Sequence, residues 1–344
     1  MIRDINVCSL LSRARHTWFK ASSWFAISLF MSVGLYSANT LAIERYGPVQ
    51  TYAQSPFHTN SLSPQLRSGF GLSANTIELY GTGTIASIWA ETSDYQLDYY
   101  QNQIALGGKW QINEQWQLDL HYRWNYAGNN HLDTLTTHFH DWFGIDQNGR
   151  DMVDDHNFNI YIPEYGIELS DFRGETLSHG YTAYLQYQLV EQTHHGLSLG
   201  MALYFNDAEH GIFSSTKFEQ ALQLNYGYRH QKHQLDAILS ITHRKTPSVF
   251  EQLPYRSTTW STGASYQYAI AERHEAIVQF MVYEGTSNGD DEFSKPSTEF
   301  TLAYRYRMDQ SAIEFSIIEN VFYADNSTDI AFTLGYRYRF DGGF

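Results

Sequence analysis

Fifteen histidines and 37 acidic residues invite a search for a catalytic or metal-binding set. Serine hydrolysis needs a hydroxyl beside an imidazole that an acid orients. Ser178-His179-Gly180 puts serine and histidine together, but no His-x-Ser-Asn-Gly run occurs in the chain. With this many histidines and carboxylates chance neighbours are expected, so a lipid hydrolase stays an outlying alternative and enzymatic activity is left open. His138, His140 and Asp141 could ligate a metal, yet residues two apart on a helix face different sides. His194-His195 falls in a turn. The run Asp146 to Asp151 has a calcium-loop look, but its twelfth position is Asn157 rather than glutamate. Asx turns explain it better. No metal site and no cofactor are expected.

A second set is cationic. Arg229, Arg305, Arg307, Arg337 and Arg339 recur toward the ends of apolar-alternating stretches, with Glu314 among them and Lys109 in a comparable place. Whether such residues can act together depends on the elements that carry them. Residues 330–340 read Ile-Ala-Phe-Thr-Leu-Gly-Tyr-Arg-Tyr-Arg-Phe, with apolar or aromatic residues at every second position and Arg337 and Arg339 in the other phase. Successive side chains of a strand face opposite sides, so one face suits lipid and the other water. Tyr336, Tyr338, Phe340 and Phe344 share the aromatic phase and form the expected membrane-insertion signal, read by a barrel-assembly machinery. Residues 116–126 repeat the pattern for eleven positions, about the length a tilted spanning strand needs.

Strands are predicted near 68–80, 94–110, 116–126, 178–190, 197–206, 215–229, 234–244, 257–270, 275–284, 297–308, 311–322 and 328–340. Phase changes in the first two predict bulges. Short links, such as 112–115 and 230–233, alternate with mostly longer ones, such as 81–93 and 245–256. An outer-membrane barrel sorts its links this way, with short turns in the periplasm and long loops outside. The fold class expected is all-β: an antiparallel transmembrane β-barrel of about 12 strands. Aromatics at 16%, including 26 tyrosines, suit such a barrel, and its alternation explains how it can score as soluble.

Residues 1–42 read as a cleaved signal peptide, with Arg13, Arg15 and Lys20 before an apolar run over 24–36 and small residues ahead of Ile43. The one cysteine, Cys8, lies in that leader, so thiol chemistry and disulfides are excluded from the mature chain. The chain carries a net charge of −15 despite a basic leader, which excludes nucleic acid as a general partner. Residues 43–67, with Pro48, Pro56 and Pro64, read as an extension that is periplasmic or inserted in the lumen. The barrel is expected over 68–344.

The barrel is interrupted by a long extracellular insertion at 127–176. There Leu132, Leu135, Phe139, Trp142 and Phe143 at helical spacing predict a short amphipathic helix over 131–143, a gate or plug at the barrel mouth.

With this topology the five arginines and Lys109 make a basic lower lumen, while the outer loops are acidic through residues such as Asp133, Asp171, Asp207, Asp290 and Asp291. Two readings stand. The arginines either pair with Glu299, Glu314, Glu219 and Asp236 to brace a narrow barrel, or form an anion-selecting constriction. Partners expected are outer-membrane lipid and lipopolysaccharide, with divalent cations at the acidic loops, and a solute of unknown identity.

The run Phe139-His140-Asp141-Trp142-Phe143-Gly144-Ile145, with Asn148-Gly149-Arg150-Asp151 and Asn157-Phe158 after it, resembles the signature region of domain-of-unknown-function family 3187, predicted proteobacterial outer-membrane proteins. Gly47-Pro48-Val49 with Ser55-Pro56-Phe57 resembles the start of that family's mature chains. The resemblance implies a Gram-negative outer-membrane barrel and brings no activity. Two functions are carried forward: a narrow channel or carrier for small, anionic solutes, and a non-transporting structural or surface-binding barrel.

Overall fold

The computed structural model describes residues 46–92, 94–132, 157–322 and 326–340. The expected leader, the helix beyond Leu132 with Leu135, Phe139, Trp142 and Phe143, and Phe344 lie outside them. Fourteen strands succeed one another among the described residues: β1 (Ile77–Glu91), β2 (Gln96–Gln111), β3 (Trp116–Ala127), β4 (Asn159–Ile162), β5 (Ile167–Leu169), β6 (Thr176–Glu191), β7 (His195–Ala208), β8 (Ser215–His230), β9 (His233–His243), β10 (Thr258–Ala271), β11 (His274–Tyr283), β12 (Ser297–Arg307), β13 (Ser311–Glu319) and β14 (Ile330–Phe340). Twelve of them close into an antiparallel barrel, because β1 pairs with both β2 and β14. The small hairpin β4–β5, within the insertion, extends the sheet by pairing with the start of β2.

The pattern that makes these strands is plain in β8. Lys217, Glu219, Gln223 and Asn225 are buried, while Phe218, Leu222 and Leu224 are exposed. Polar residues inside and apolar residues outside invert the arrangement of a soluble protein, as lipid on the outer face requires. Links at one end are short: 112–115, 192–194, 231–232, 272–273 and 308–310. At the other end they are longer, apart from the tight link at 92–95.

At the short-turn end, His195, His233 and His274 open β7, β9 and β11. Each shares a hydrogen bond through Nδ1 with a tyrosine hydroxyl of the next strand, Tyr226, Tyr266 and Tyr304, at 2.9, 2.6 and 2.5 Å. These pairs form part of the aromatic girdle a barrel sets at the membrane boundary.

Three sequence expectations change. The first strand starts at Ile77, not near residue 68. The Phe70, Leu72 alternation belongs to a segment inside the barrel, and Gly81-Thr82-Gly83-Thr84, which reads as a loop, is strand with its threonines buried toward the lumen. The β1–β2 register is continuous from Ile77↔Trp110 to Glu91↔Gln96, so no bulge explains the phase change in β2. Its first half is instead buried on both faces. Register shifts occur at Asn125/Tyr126, Gln188/Val190 and Ala269/Ala271. The described α-helix, α1 (Pro56–Thr59), lies in the N-terminal segment.

Candidate functional site

Residues 46–72 occupy the lumen as a hairpin plug, tied to the wall by polar contacts along both limbs and by apolar packing of Ala53, Phe57, Leu62 and Leu66. The ascending limb starts at the short-turn end. Tyr46 O and Gly47 O accept from Arg337 Nη1 at 3.0 Å and Arg305 Nη2 at 2.7 Å. Higher up, Val49 N donates to Gln279 Oε1 at 2.8 Å and Gln54 N to Glu299 Oε1 at 2.7 Å. The chain turns at α1, where Arg123 Nη2 donates to Thr59 O and Ser61 O at 3.1 and 2.7 Å. Leu62 N then donates to Glu219 Oε2 at 2.6 Å, Gln223 Nε2 to Gln65 O at 2.9 Å, and Gln188 Nε2 to Gly69 O at 2.7 Å. The descending limb reaches the short-turn end again at Leu72, whose N–H meets Gln111 Oε1 at 2.9 Å.

Glycine makes the last docking point possible. Gly69 lies against the paired wall residues Gly196 and Gly227 so closely that a Cβ on Gly69 would sit 2.3 Å from Gly227 N and 2.5 Å from Gly196 O. Phe70 then packs under Arg229, whose guanidinium carbon lies 4.0 Å from the ring centre. Between the limbs at this end remains a cavity of about 60 Å³, bordered by Gly47, Arg67, Lys109 and Arg229. That is room for a few waters at most.

Most of the cations singled out in the sequence meet at the short-turn end. Arg305 pairs with Glu275 at 2.8 Å and Glu314 at 2.7 Å, and Arg307 with Glu275 at 3.1 Å. Arg337 reaches Glu78 at 3.2 Å and Glu314 at 2.9 Å; Arg339 and Lys109 reach Glu78 at 2.9 and 3.1 Å. Arg339 also stacks on the Tyr46 ring at 3.9 Å. Among the described residues, Lys109 and four arginines thus meet three carboxylates, Glu78, Glu275 and Glu314. Arg229 stands apart at the rim, paired with Glu191 at 3.6 Å and 40% exposed. Glu299, Glu219 and Asp236, expected as arginine partners, do other work. Glu299 accepts from the plug, Glu219 pairs with Lys217 at 3.1 Å, and Asp236 accepts from Gln234 and Gln267. Tyr336 and Phe340 face outward and are exposed, as lipid-facing residues should be.

The loop end is closed by an apolar cap. Phe57, at the tip of the plug, meets Phe250 and Phe293 with ring centres 4.8 and 4.4 Å apart, and Tyr95, Phe158, Phe172 and Phe213 belong to the same buried cluster. Beneath it sits His58, buried and held well below the usual imidazole range, first by burial and then by Arg244, Lys217 and Arg123. It is therefore neutral at ordinary pH.

Sequence reasoning missed Glu78 and Glu275 in the ionic layer, His58 and Arg244 above it, and Phe57 as an anchor. Parity along β1 and β11 would have put Glu78 and Glu275 inside, had the start of β1 been known. Nothing in the loop sequences tells that Phe250 and Phe293 turn inward.

The comparisons agree with this architecture. The profile of a family described as "Protein of unknown function (DUF3187)" matches residues 25–340. No curated protein matches in sequence. Among solved structures, an outer membrane channel from Pseudomonas putida F1 is similar over 79% of this chain and 97% of its own, with 12% identity and a TM-score of 0.50. The NanC porin covers 76% and 98%, with 10% identity and a TM-score of 0.42. At 12% identity the likeness to the Pseudomonas putida channel speaks for the barrel fold alone.

Proposed function

The chain belongs to the family described as protein of unknown function (DUF3187), and we propose that it is a gated narrow channel or carrier for small solutes in the Gram-negative outer membrane, with residues 46–72 as the gate. The observation that carries this reading is how the plug is held. Its backbone is hydrogen-bonded by Arg123, Gln188, Gln223, Gln279 and Glu299, wall groups that water could serve equally well after the plug leaves. The gathering of Lys109, Arg305, Arg307, Arg337 and Arg339 at one level of the lumen supports anionic solutes, because fixed charges at a constriction select the opposite sign.

The closed lumen is the observation that favours the second reading, a non-transporting barrel that displays its loops. Planar-bilayer recording separates the two. Deleting residues 46–72 should turn a silent or rarely opening protein into a steadily conducting, anion-preferring one. A deletion variant that inserts with heat-modifiable migration and conducts nothing, or that prefers cations, would sink the anion channel.

A further inference from the structure

Arg244 comes directly after the last residue of β9 and turns into the lumen, 2% exposed. Its Nε donates to Thr259 Oγ1 at 2.7 Å, but Nη1 and Nη2 have no hydrogen-bond partner among the described residues. The nearby carboxylate, Glu219, is taken: it pairs with Lys217 at 3.1 Å and accepts from Leu62 N at 2.6 Å and Lys245 N at 3.2 Å. Other buried groups are left over beside it. Arg123 Nη1, both ring nitrogens of His58, Thr242 Oγ1 and Ser261 Oγ also lack partners among the described residues.

Register places these groups together. Thr242 pairs with Thr259, the residue Arg244 holds, and Ser261 lies two residues further along the same inward face. Ser261 in turn pairs with Tyr283, against whose ring His58 packs with centres 5.3 Å apart. Above them is the Phe57, Phe250, Phe293 cap. Arg123, Lys217 and Arg244 all act on His58, whose affinity for protons is lowered first by burial and then by these three cations. Water could fill the missing hydrogen bonds, but it would leave the surplus charge, and a buried unpaired charge is costly.

We propose that Arg244, Arg123 and His58, with Thr242 and Ser261, bind a small oxyanion beneath the aromatic cap. The free Nη1 and Nη2 of Arg244 offer paired N–H donors that match two oxygens, and Arg123 Nη1, the neutral imidazole and two hydroxyls complete a donor-rich shell. Phosphate, sulfate and simple carboxylates share this chemistry. The inference deepens the channel reading, since such a site would hold an anionic solute in transit, and it rests on that reading for its role but not for its existence.

The test refolds the full chain into detergent micelles with inorganic phosphate, sulfate or acetate, against chloride at equal ionic strength, so that the site forms around the ion. Saturable retention of one labelled sulfate or phosphate per folded chain is expected, with a rise in the unfolding midpoint that saturates over the same range. Arg244→Gln should weaken binding about tenfold or more, from the loss of charge-assisted hydrogen bonds. The milder His58→Gln should weaken it severalfold while keeping the charge, which protects the test if Arg244→Gln folds poorly. Lys295→Gln, on a loop, should bind as wild type does. Acetate retained in place of phosphate or sulfate would support a carboxylate site. No saturable oxyanion, meaning water only, or undiminished binding by both site variants overturns the inference. Neither result depends on conductance, so the channel reading stands or falls separately in the bilayer.

Discussion

Consider Gly69→Ala. The added methyl would stand 2.3 Å from Gly227 N and 2.5 Å from Gly196 O, both backbone atoms of paired wall strands that have no soft direction to give. Ordinary contact begins near 3.4 Å, so the descending limb has to withdraw by about an ångström. That movement breaks the Gln188 Nε2 bond to Gly69 O and lifts Phe70 from beneath Arg229. One hydrogen bond is worth about 1 kcal/mol and overpacking costs roughly 1–3 kcal/mol. A total near 3 kcal/mol shifts the seated-to-unseated ratio roughly a hundredfold.

Plug exposure can be read directly because the one cysteine, Cys8, lies in the expected leader, and Cys8→Ser removes it in any case. Ser63→Cys is a near-isosteric probe on the buried descending limb. A water-soluble maleimide should label it on the order of a hundred times faster in the Gly69→Ala background. Gly83→Ala is the matched control, since a methyl there meets nothing within 4 Å. Equal labelling of Gly69→Ala and Gly83→Ala, both folded by gel migration, would refute the glycine seat.

The upper lumen yields two more expected outcomes. Phe57→Ala removes the ring that joins the plug to Phe250 and Phe293, at a cost of about 3–5 kcal/mol for a buried phenylalanine; limited proteolysis should then cut residues 248–256, which stay intact in the parent. His58 makes the seated plug acid-sensitive. Its seated affinity for protons lies well below the value of about 6.5 it has in water, so above that pH both states are neutral and stability is flat. Below it only the unseated state takes the proton, and stability falls by up to about 1.4 kcal/mol per pH unit until the seated value is reached. Ser63→Cys labelling between pH 8 and 5 should accelerate on the acid side, and His58→Gln should flatten that limb; identical profiles would contradict it.

The barrel itself was legible because a strand with lipid on one side and a polar lumen on the other writes its period into the sequence. β3, β8 and β14 carry that period cleanly. Legibility fails where both faces of a strand are covered, as in the first half of β2, and where small residues replace apolar ones, as at Gly81 and Gly83. For the site, parity placed Arg305, Arg307, Arg337 and Arg339 on the inner face correctly. Parity does not tell which carboxylate stands opposite, since that depends on the stagger between strands, and Glu78 was missed because the start of β1 was not known. The plug was harder still. A proline-spaced polar segment reads alike whether water or a polar wall satisfies its backbone, so 43–67 could be placed no more closely than the periplasm or the lumen.

The seam of the barrel also implies an order of assembly. The plug precedes every strand in sequence, β14 is the last of them, and the closing pair is β1 with β14. Arg337, on that final strand, donates to the carbonyls of Tyr46 and Pro48, at the start of the plug, and Arg337 and Arg339 together grip Glu78 across the seam. The plug and the final strand therefore meet only when the wall shuts. A barrel that closed with the hairpin still outside would leave Glu78 with two guanidinium groups but Arg337 without its carbonyl partners until the hairpin entered through the short-turn end, where both of its limbs lie. The last strand thus holds the seam and the foot of the plug with the same side chain, Arg337.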